Sequence, residues 1–310
     1  MKKSLLSLIL LTGLLLSGAE KQFELNGEHG LQAVIGGTLK SPVKAENIKT
    51  VPGMGNGNAI FIPSNGSLVF PLDKIGTQTE GTVAFWLKLD TPMEAVLNYF
   101  DRDRLPDGSI GNIGDAFRDI LFSGVPFAPV RVSKSHIYAQ GINGSTAYYK
   151  RMFPGKWHFF AFTWNSKTKT TGNLIDFNYS EQISSNLQPK PFGKELAFGS
   201  ANRKQGLNGS IDNFIIYDKA LSREELLDLY AKHRPLDAEL HDYALNTEKN
   251  NLIRLRFRNF SKQKTEKNIR FEILGPDGTK KAENSFRVTA GPGGFADVRT
   301  SFRPEKAGLH

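Results

Sequence analysis

Acidic residues gathered in a loop, with aromatic rings beside them, are the groups in this chain best placed to do chemistry at a surface. Asp101-Arg102-Asp103-Arg104-Leu105-Pro106-Asp107-Gly108 collects three carboxylates in one turn-rich segment. Oxygen-only donors of this kind suit a hard divalent cation. The spacing departs from an EF-hand loop and two arginines intervene, so the segment also reads as a solvated loop. Tyr99 and Phe100 lead directly into it. Tyr99 with Asp101 and Asp103 could therefore seat a sugar, the ring against the apolar face of a pyranose and the carboxylates on its hydroxyls. Tyr148 and Tyr149 form a second candidate, because successive strand residues point to opposite faces and one ring of the pair must face outward. Packing in the core or at the rim is the plain alternative for each of these rings. Trp86, Trp157 and Trp164 lie in the most apolar strands and are expected in the core.

The local motifs that usually mark nucleophilic, transition-metal or phosphate chemistry do not occur, although catalytic groups can also converge from distant loops. The six histidines show no His-x-His or His-x-x-x-His spacing for a transition metal. No Gly-x-Ser-x-Gly elbow and no phosphate-loop signature occurs. No catalytic residue is assigned.

The ends and the composition narrow the class. Met1-Lys2-Lys3, an apolar run to Leu16 and Ser17-Gly18-Ala19 have the three parts of a secretory signal, and the run is shorter than a membrane span requires. Cleavage is expected after Ala19, leaving no membrane span and placing the protein in the periplasm, at the cell surface or outside the cell. With no cysteine, an exported chain must be held by packing, helped at most by a bound ion. Removing Lys2 and Lys3 lowers the net charge from +9 to +7, with 14 basic and 10 acidic residues from Asp237 onward. That is no concentrated basic footprint, so no nucleic-acid partner is expected. Arg254, Arg256 and Arg258 alternate with Ile253, Leu255 and Phe257. The stripe could grip a sulfated or uronic polymer, but such alternation is more often simply a solvated sheet face.

The positioning elements are mostly strands. Period-two runs are predicted at 59–63, 67–70, 82–89, 119–122, 136–140, 145–150, 157–164, 173–179, 196–199 and 210–217. In 82–89 the residues Val83, Phe85, Leu87 and Leu89 share a face, whereas 157–164 is apolar on both faces and suits burial on both sides. One helix is predicted from Ser222, whose spacing to Glu225 is that of a capping box, ending near Pro235. Strand patterning resumes at 252–259, 268–274, 285–289 and 295–302. The expected domains are a signal over 1–19, a sandwich over 20–234, a linker over 235–242 and a smaller β-sandwich over 243–310, lacking its last strand.

Three segments carry a family resemblance. They are Gly55-Asn56-Gly57-Asn58-Ala59-Ile60, the pair Gly81–Lys88 and Lys156–Trp164, and Gly209-Ser210-Ile211-Asp212-Asn213-Phe214-Ile215-Ile216-Tyr217-Asp218-Lys219-Ala220-Leu221-Ser222. In this order they resemble laminin-G-like and pentraxin-like modules of the concanavalin A-like lectin/glucanase superfamily. The resemblance implies an all-β fold, a two-sheet antiparallel jelly-roll sandwich. The tail is similar to immunoglobulin-like spacers. Family members often bind one calcium at the rim, and by position Asp212, Asn56 and Asn58 would match that site; a capped turn and a tight glycine loop would explain the same residues. Catalytic relatives carry Glu-x-Asp-x-x-Glu on one strand, whereas this chain offers only Asp176 in Leu174-Ile175-Asp176-Phe177. The implied function is an exported, non-catalytic carbohydrate-binding module at the front of a longer carbohydrate-active protein, its partner a polysaccharide or glycan. An adhesion or protein-interaction module, or a glycoside hydrolase with its catalytic domain beyond residue 310, are the rival expectations.

Overall fold

The computed structural model describes residues 18–72, 75, 79–90, 119–126, 130–132, 136–140, 147–151, 155–183, 187, 191–199, 207–240, 250–274 and 279–303. Short strands come first: β1 (Lys21–Leu25), β2 (Ala33–Ile35), β3 (Thr38–Lys40), β4 (Lys44–Glu46) and β5 (Lys49–Pro52). Next are β6 (Asn58–Ile62), β7 (Ser67–Pro71), β8 (Glu80–Leu89), β9 (Asp119–Ser123), β10 (Val130–Val132), β11 (His136–Gln140) and β12 (Ala147–Arg151). β13 (Trp157–Asn165), β14 (Thr170–Ile175), β15 (Asn178–Ile183), β16 (Glu195–Gly199) and β17 (Gly209–Tyr217) lead into helix α1 (Arg223–His233). Beyond it lie β18 (Leu236–Leu240), β19 (Asn251–Asn259), β20 (Thr265–Leu274), β21 (Lys280–Ala290) and β22 (Phe295–Phe302).

Two antiparallel sheets make the main body. One runs β15-β14-β13-β8-β17-β1-β2-β3, with β6 joined to both β17 and β5; the other runs β12-β11-β10-β9-β16-β7-β4. Their facing sides share one core built on aromatic rings, in which Phe85 stacks at 5.5 Å on Phe160 and Phe122 meets Phe214 edge-on at 5.0 Å. Such offset and edge-to-face contacts satisfy the ring quadrupoles while excluding water. The expected all-β sandwich is what the chain forms.

The outer face of the first sheet carries a second apolar layer. Trp86, Phe159, Leu174 and Tyr217 lie there under Leu226, Leu229 and Tyr230 of α1. Trp86 stacks on Tyr230 at 5.5 Å, and the Arg234 guanidinium sits 5.3 Å over the Trp86 ring. This explains why β8 and β13 are apolar on both faces. The helix starts as the sequence suggests: Glu225 N donates to Ser222 Oγ at 3.3 Å, and Ser222 N donates to Glu225 Oε2 at 2.7 Å.

Two expectations need correction. The predicted strand 173–179 is instead the end of β14, a turn and the start of β15, with Asp176 at φ 52°. Aspartate tolerates this left-handed region, and its buried carboxylate is held by Phe159 N at 3.0 Å and His158 Nδ1 at 3.1 Å. Asp176 thus shapes a turn. Within the stretch read as a linker, residues 236–240 pair with β19 as strand β18. The alternation of Leu236, Ala238 and Leu240 with two acids was too short to stand out.

In the C-terminal part, the sheet β18-β19-β22 and the ladder β20-β21 enclose a small core of Leu255, Phe257 and Val288. Phe260 joins this part to the main body, stacking on Phe177 at 5.3 Å and meeting Tyr230 edge-on at 5.2 Å.

Candidate functional site

The loop between β5 and β6 closes on itself through Gly53 N to Gly57 O at 2.8 Å and Gly57 N to Met54 O at 3.2 Å. Asp212 comes up beneath it from β17, at an irregularity where Asn213 takes φ 48°. Asp212 as a whole is 2% exposed; its Oδ2 accepts Met54 N at 2.8 Å and its Oδ1 accepts Asn213 Nδ2 at 3.0 Å. Glu28, from the β1–β2 connection, accepts Asn58 N on Oε1 at 2.7 Å. Two glycines make these approaches feasible. A Cβ on Gly53 would stand 2.6 Å from Asp212 Oδ2, and one on Gly57 would stand 2.6 Å from Glu28 Oε1.

Burial raises the Asp212 pKa to about 6; the Glu28 charge adds to this, while the hydrogen bonds from Met54 and Asn213 oppose it. Among the described residues no cation is paired with Asp212. A buried anion beside a second anion, both oxygen-only donors, fits a hard cation such as calcium. Among the described residues no group of three or more His, Cys, Asp or Glu converges, so backbone carbonyls would have to complete the shell. The expected trio is brought together in part: Asp212 lies under the loop that contains Asn56, and Asn58 enters through its backbone. Glu28 was not foreseen, because it precedes the loop by a whole hairpin and nothing local marks it.

On the other flank, an open groove of about 920 Å³ runs between the β13-β14-β15 end of the sheet and the start of α1. Tyr179 is its half-buried ring, and its hydroxyl donates to Glu181 Oε2 at 2.7 Å. Burial and the Glu181 carboxylate push the phenol above its ordinary range, so it stays a protonated donor. Gly172 leaves room for the ring: a Cβ there would lie 3.0 Å from the Tyr179 hydroxyl and 2.7 Å from Thr163 Oγ1. Asn165 lines the same groove, and Lys262 of the C-terminal part reaches Asp228 of α1 at 2.8 Å. A flat ring among an amide, carboxylates and an ammonium can hold a sugar by its C–H face and its hydroxyls together. None of these residues was singled out from the sequence. β15 is polar on both faces, and the junction exists only once Lys262 arrives.

Tyr148 and Tyr149 lie in β12, the outer strand of the second sheet, in register with Ala139 and Tyr138. Tyr99, Asp101 and Asp103 lie outside the described residues, as do residues 1–17 of the expected signal.

A sandwich whose inner core joins both sheets, closed outside by a capped helix after Gly209–Tyr217, is matched by a laminin-G family profile described as the concanavalin A-like lectin/glucanases superfamily, over residues 63–227. The chain belongs to this superfamily. No curated protein matches it. Among solved structures, the binding domain of Paraclostridial Mosquitocidal Protein 1 is 13% identical, with TM-score 0.49, over 80% of this chain and 65% of that one. Domain 4 of AbnA, a GH43 extracellular arabinanase from Geobacillus stearothermophilus in complex with arabinotriose, is 14% identical with TM-score 0.47, over 68% of this chain and 98% of that one. The botulinum neurotoxin serotype D ligand binding domain in complex with N-acetylneuraminic acid is 14% identical with TM-score 0.46, over 76% and 61%. The chain thus spans less than two thirds of the length of the toxin domains it resembles.

Proposed function

We propose that this protein is an exported, non-catalytic carbohydrate-binding module, and that the Tyr179 groove holds its glycan. Membership of a lectin-containing superfamily supports the class. The observation that carries the site is a half-buried aromatic ring set among Asn165, Glu181, Asp228 and Lys262 in a cleft where two parts of the molecule meet. Clefts at such junctions are preferred ligand sites. Glu28 and Asp212 would hold a calcium ion that neutralises their charge and stiffens the 53–58 loop. We read the C-terminal sheets as an immunoglobulin-like spacer toward a further carbohydrate-active domain.

The test is a glycan array with and without calcium, with arabinan and sialylated probes included, followed by titration of the best ligand into Tyr179→Ala. A stacking ring contributes enough that its loss should weaken binding by roughly tenfold or more. Binding to no glycan, or the same affinity in Tyr179→Ala, would sink the proposal.

A further inference from the structure

The start of the sandwich is tied to its last strand through a carboxylate. Glu20 N donates to Asp218 Oδ1 at 2.8 Å, and Asp218 N donates back to Glu20 O at 3.2 Å. The two bonds extend the β1–β17 ladder one pair beyond Lys21, which stands opposite Tyr217. That ladder is irregular between Lys21 and Phe23, so the Glu20–Asp218 contact holds the chain on the far side of the irregularity. β1 is an inner strand, with β17 on one side and β2, then β3, on the other. Its Phe23 and Leu25 are buried in the inter-sheet core. Fraying at Glu20 would therefore loosen the strand on which β2 and β3 depend.

Glu20 is also the residue that follows Ser17-Gly18-Ala19, the small-residue exit after which cleavage is expected. Hydrolysis there breaks the bond between the Ala19 carbonyl carbon and Glu20 N. The oxygen of water goes to the carbon, which leaves as a carboxylate, and the nitrogen takes up protons to become the α-ammonium. That nitrogen is the one already 2.8 Å from Asp218 Oδ1. A neutral amide donating to a carboxylate thus becomes an ion pair with a charge-assisted hydrogen bond. The position of the cut matters. One residue earlier, the ammonium would sit a Cα step, about 3.8 Å, farther along the chain. One residue later, the carbonyl that accepts Asp218 N would be gone. Ala19 gives only its methyl group to the outer apolar layer, so little packing leaves with it. The other charged groups next to the pair in the chain are the Glu20 side chain, Lys21, held by Glu24 at 2.9 Å, and Lys219, which also lines the groove.

We propose that the Ala19–Glu20 bond is the maturation site of this protein and that Asp218 is the receptor for the α-ammonium which the cut creates. Removal of the leader then locks the first strand into the sandwich. The proposal rests on the export reading above and adds to it the residue on which the cut acts. Asp218 lies between β17 and the Ser222 cap of α1, so the new pair ties the mature N-terminus to the segment that leads into the helix covering the sheet. In the uncut chain the same nitrogen is uncharged, and the closed form has only the amide bond to hold it.

The experiment expresses the full chain with its leader in a bacterial secretion host and reads the N-terminus of the exported protein by mass spectrometry. Glu20 is expected there. The α-amino group is then titrated by acetic anhydride labelling, in the exported protein, in Asp218→Asn and in the exported protein unfolded in urea. Asparagine keeps an acceptor oxygen and removes only the charge. A carboxylate partner favours the charged amine, so the group should titrate at a higher pH in the folded parent than in either control. Its folded value being raised, the stabilisation is full below the unfolded value of about 7.7–8.0 and is lost as pH rises through the folded one. Asp218→Asn should therefore lower the melting temperature by about 1–3 °C at about pH 6.5 and by less at about pH 9.5. In a chain made to begin at Gly18, Glu20 N is an amide, and the cost of Asp218→Asn should be the same at both pH values. An N-terminus other than Glu20, an α-amino group that titrates alike in the parent and its controls, or a cost in the exported protein that does not change with pH would each overturn the proposal. Retention of Met1 would also count against export, whereas a cut before Glu20 with an unchanged titration counts against Asp218 alone, so the two failures are distinguishable.

Discussion

Strand β8 buries both of its faces, with Phe85 in the inter-sheet core and Trp86 beneath α1, whereas β19 buries only one. The strands are of similar length and both are centred in their sheets. What differs is the cover. The sandwich has a helix on its outer face, so aromatic rings there are interior groups, whereas the second face of β19 carries an exposed Leu252 and arginines that are not fully buried. Phe295 is therefore 54% exposed and Trp86 1%, although both are aromatic residues of β-strands.

Truncating the covered strand should have the largest effect. Phe85→Ala is expected to cost about 3–5 kcal/mol, because the cavity is walled by both sheets and cannot collapse. Denaturant melts will measure this, and a loss below about 1 kcal/mol would mean that the two-sheet core is not the one described. Next comes Asp212. Its folded pKa is raised to about 6, so the native state binds the proton more tightly than the unfolded chain does. Stability is then full below the unfolded carboxylate value and is lost as pH rises through about 6, by roughly 3 kcal/mol without a cation. Melts in chelator should show this slope, and Asp212→Asn should flatten it. Calcium should raise the melting temperature of the parent protein at neutral pH and leave Asp212→Asn unmoved.

Ser222→Ala removes a helix cap from the cover itself and should cost about 1 kcal/mol. If it costs nothing, the helix is held by Tyr230 and Leu226 alone. Phe295→Ala should change stability least, within about 0.5 kcal/mol, as a surface substitution away from the core. A large loss there would place Phe295 in packing and erase the contrast between the two regions.

Most strands from β6 onward, the capping box and the burial of β13 on both sides were legible because each depends on residues close in sequence; the short strands β1 to β5 were not. Asp212 and the loop at Asn56–Asn58 were linked only through the family resemblance. The hairpin at Asp176 escaped because its turn is stabilised by His158 and the Phe159 backbone, which come from another strand. The groove escaped for the same kind of reason, since Tyr179, Asp228 and Lys262 sit on three separate elements.

By itself the sequence determined that this would be a β protein with a capped helix behind its last sandwich strand, because periodicity and caps are local chemistry. Only the tertiary structure decided that Glu28 stands beside Asp212, that Tyr179 faces a groove, and that Arg299 lies across from Arg254. Those meetings depend on the register of strands far apart in the chain. A slip of one residue would turn every side chain to the opposite face, and it is the packing of the whole core that excludes it.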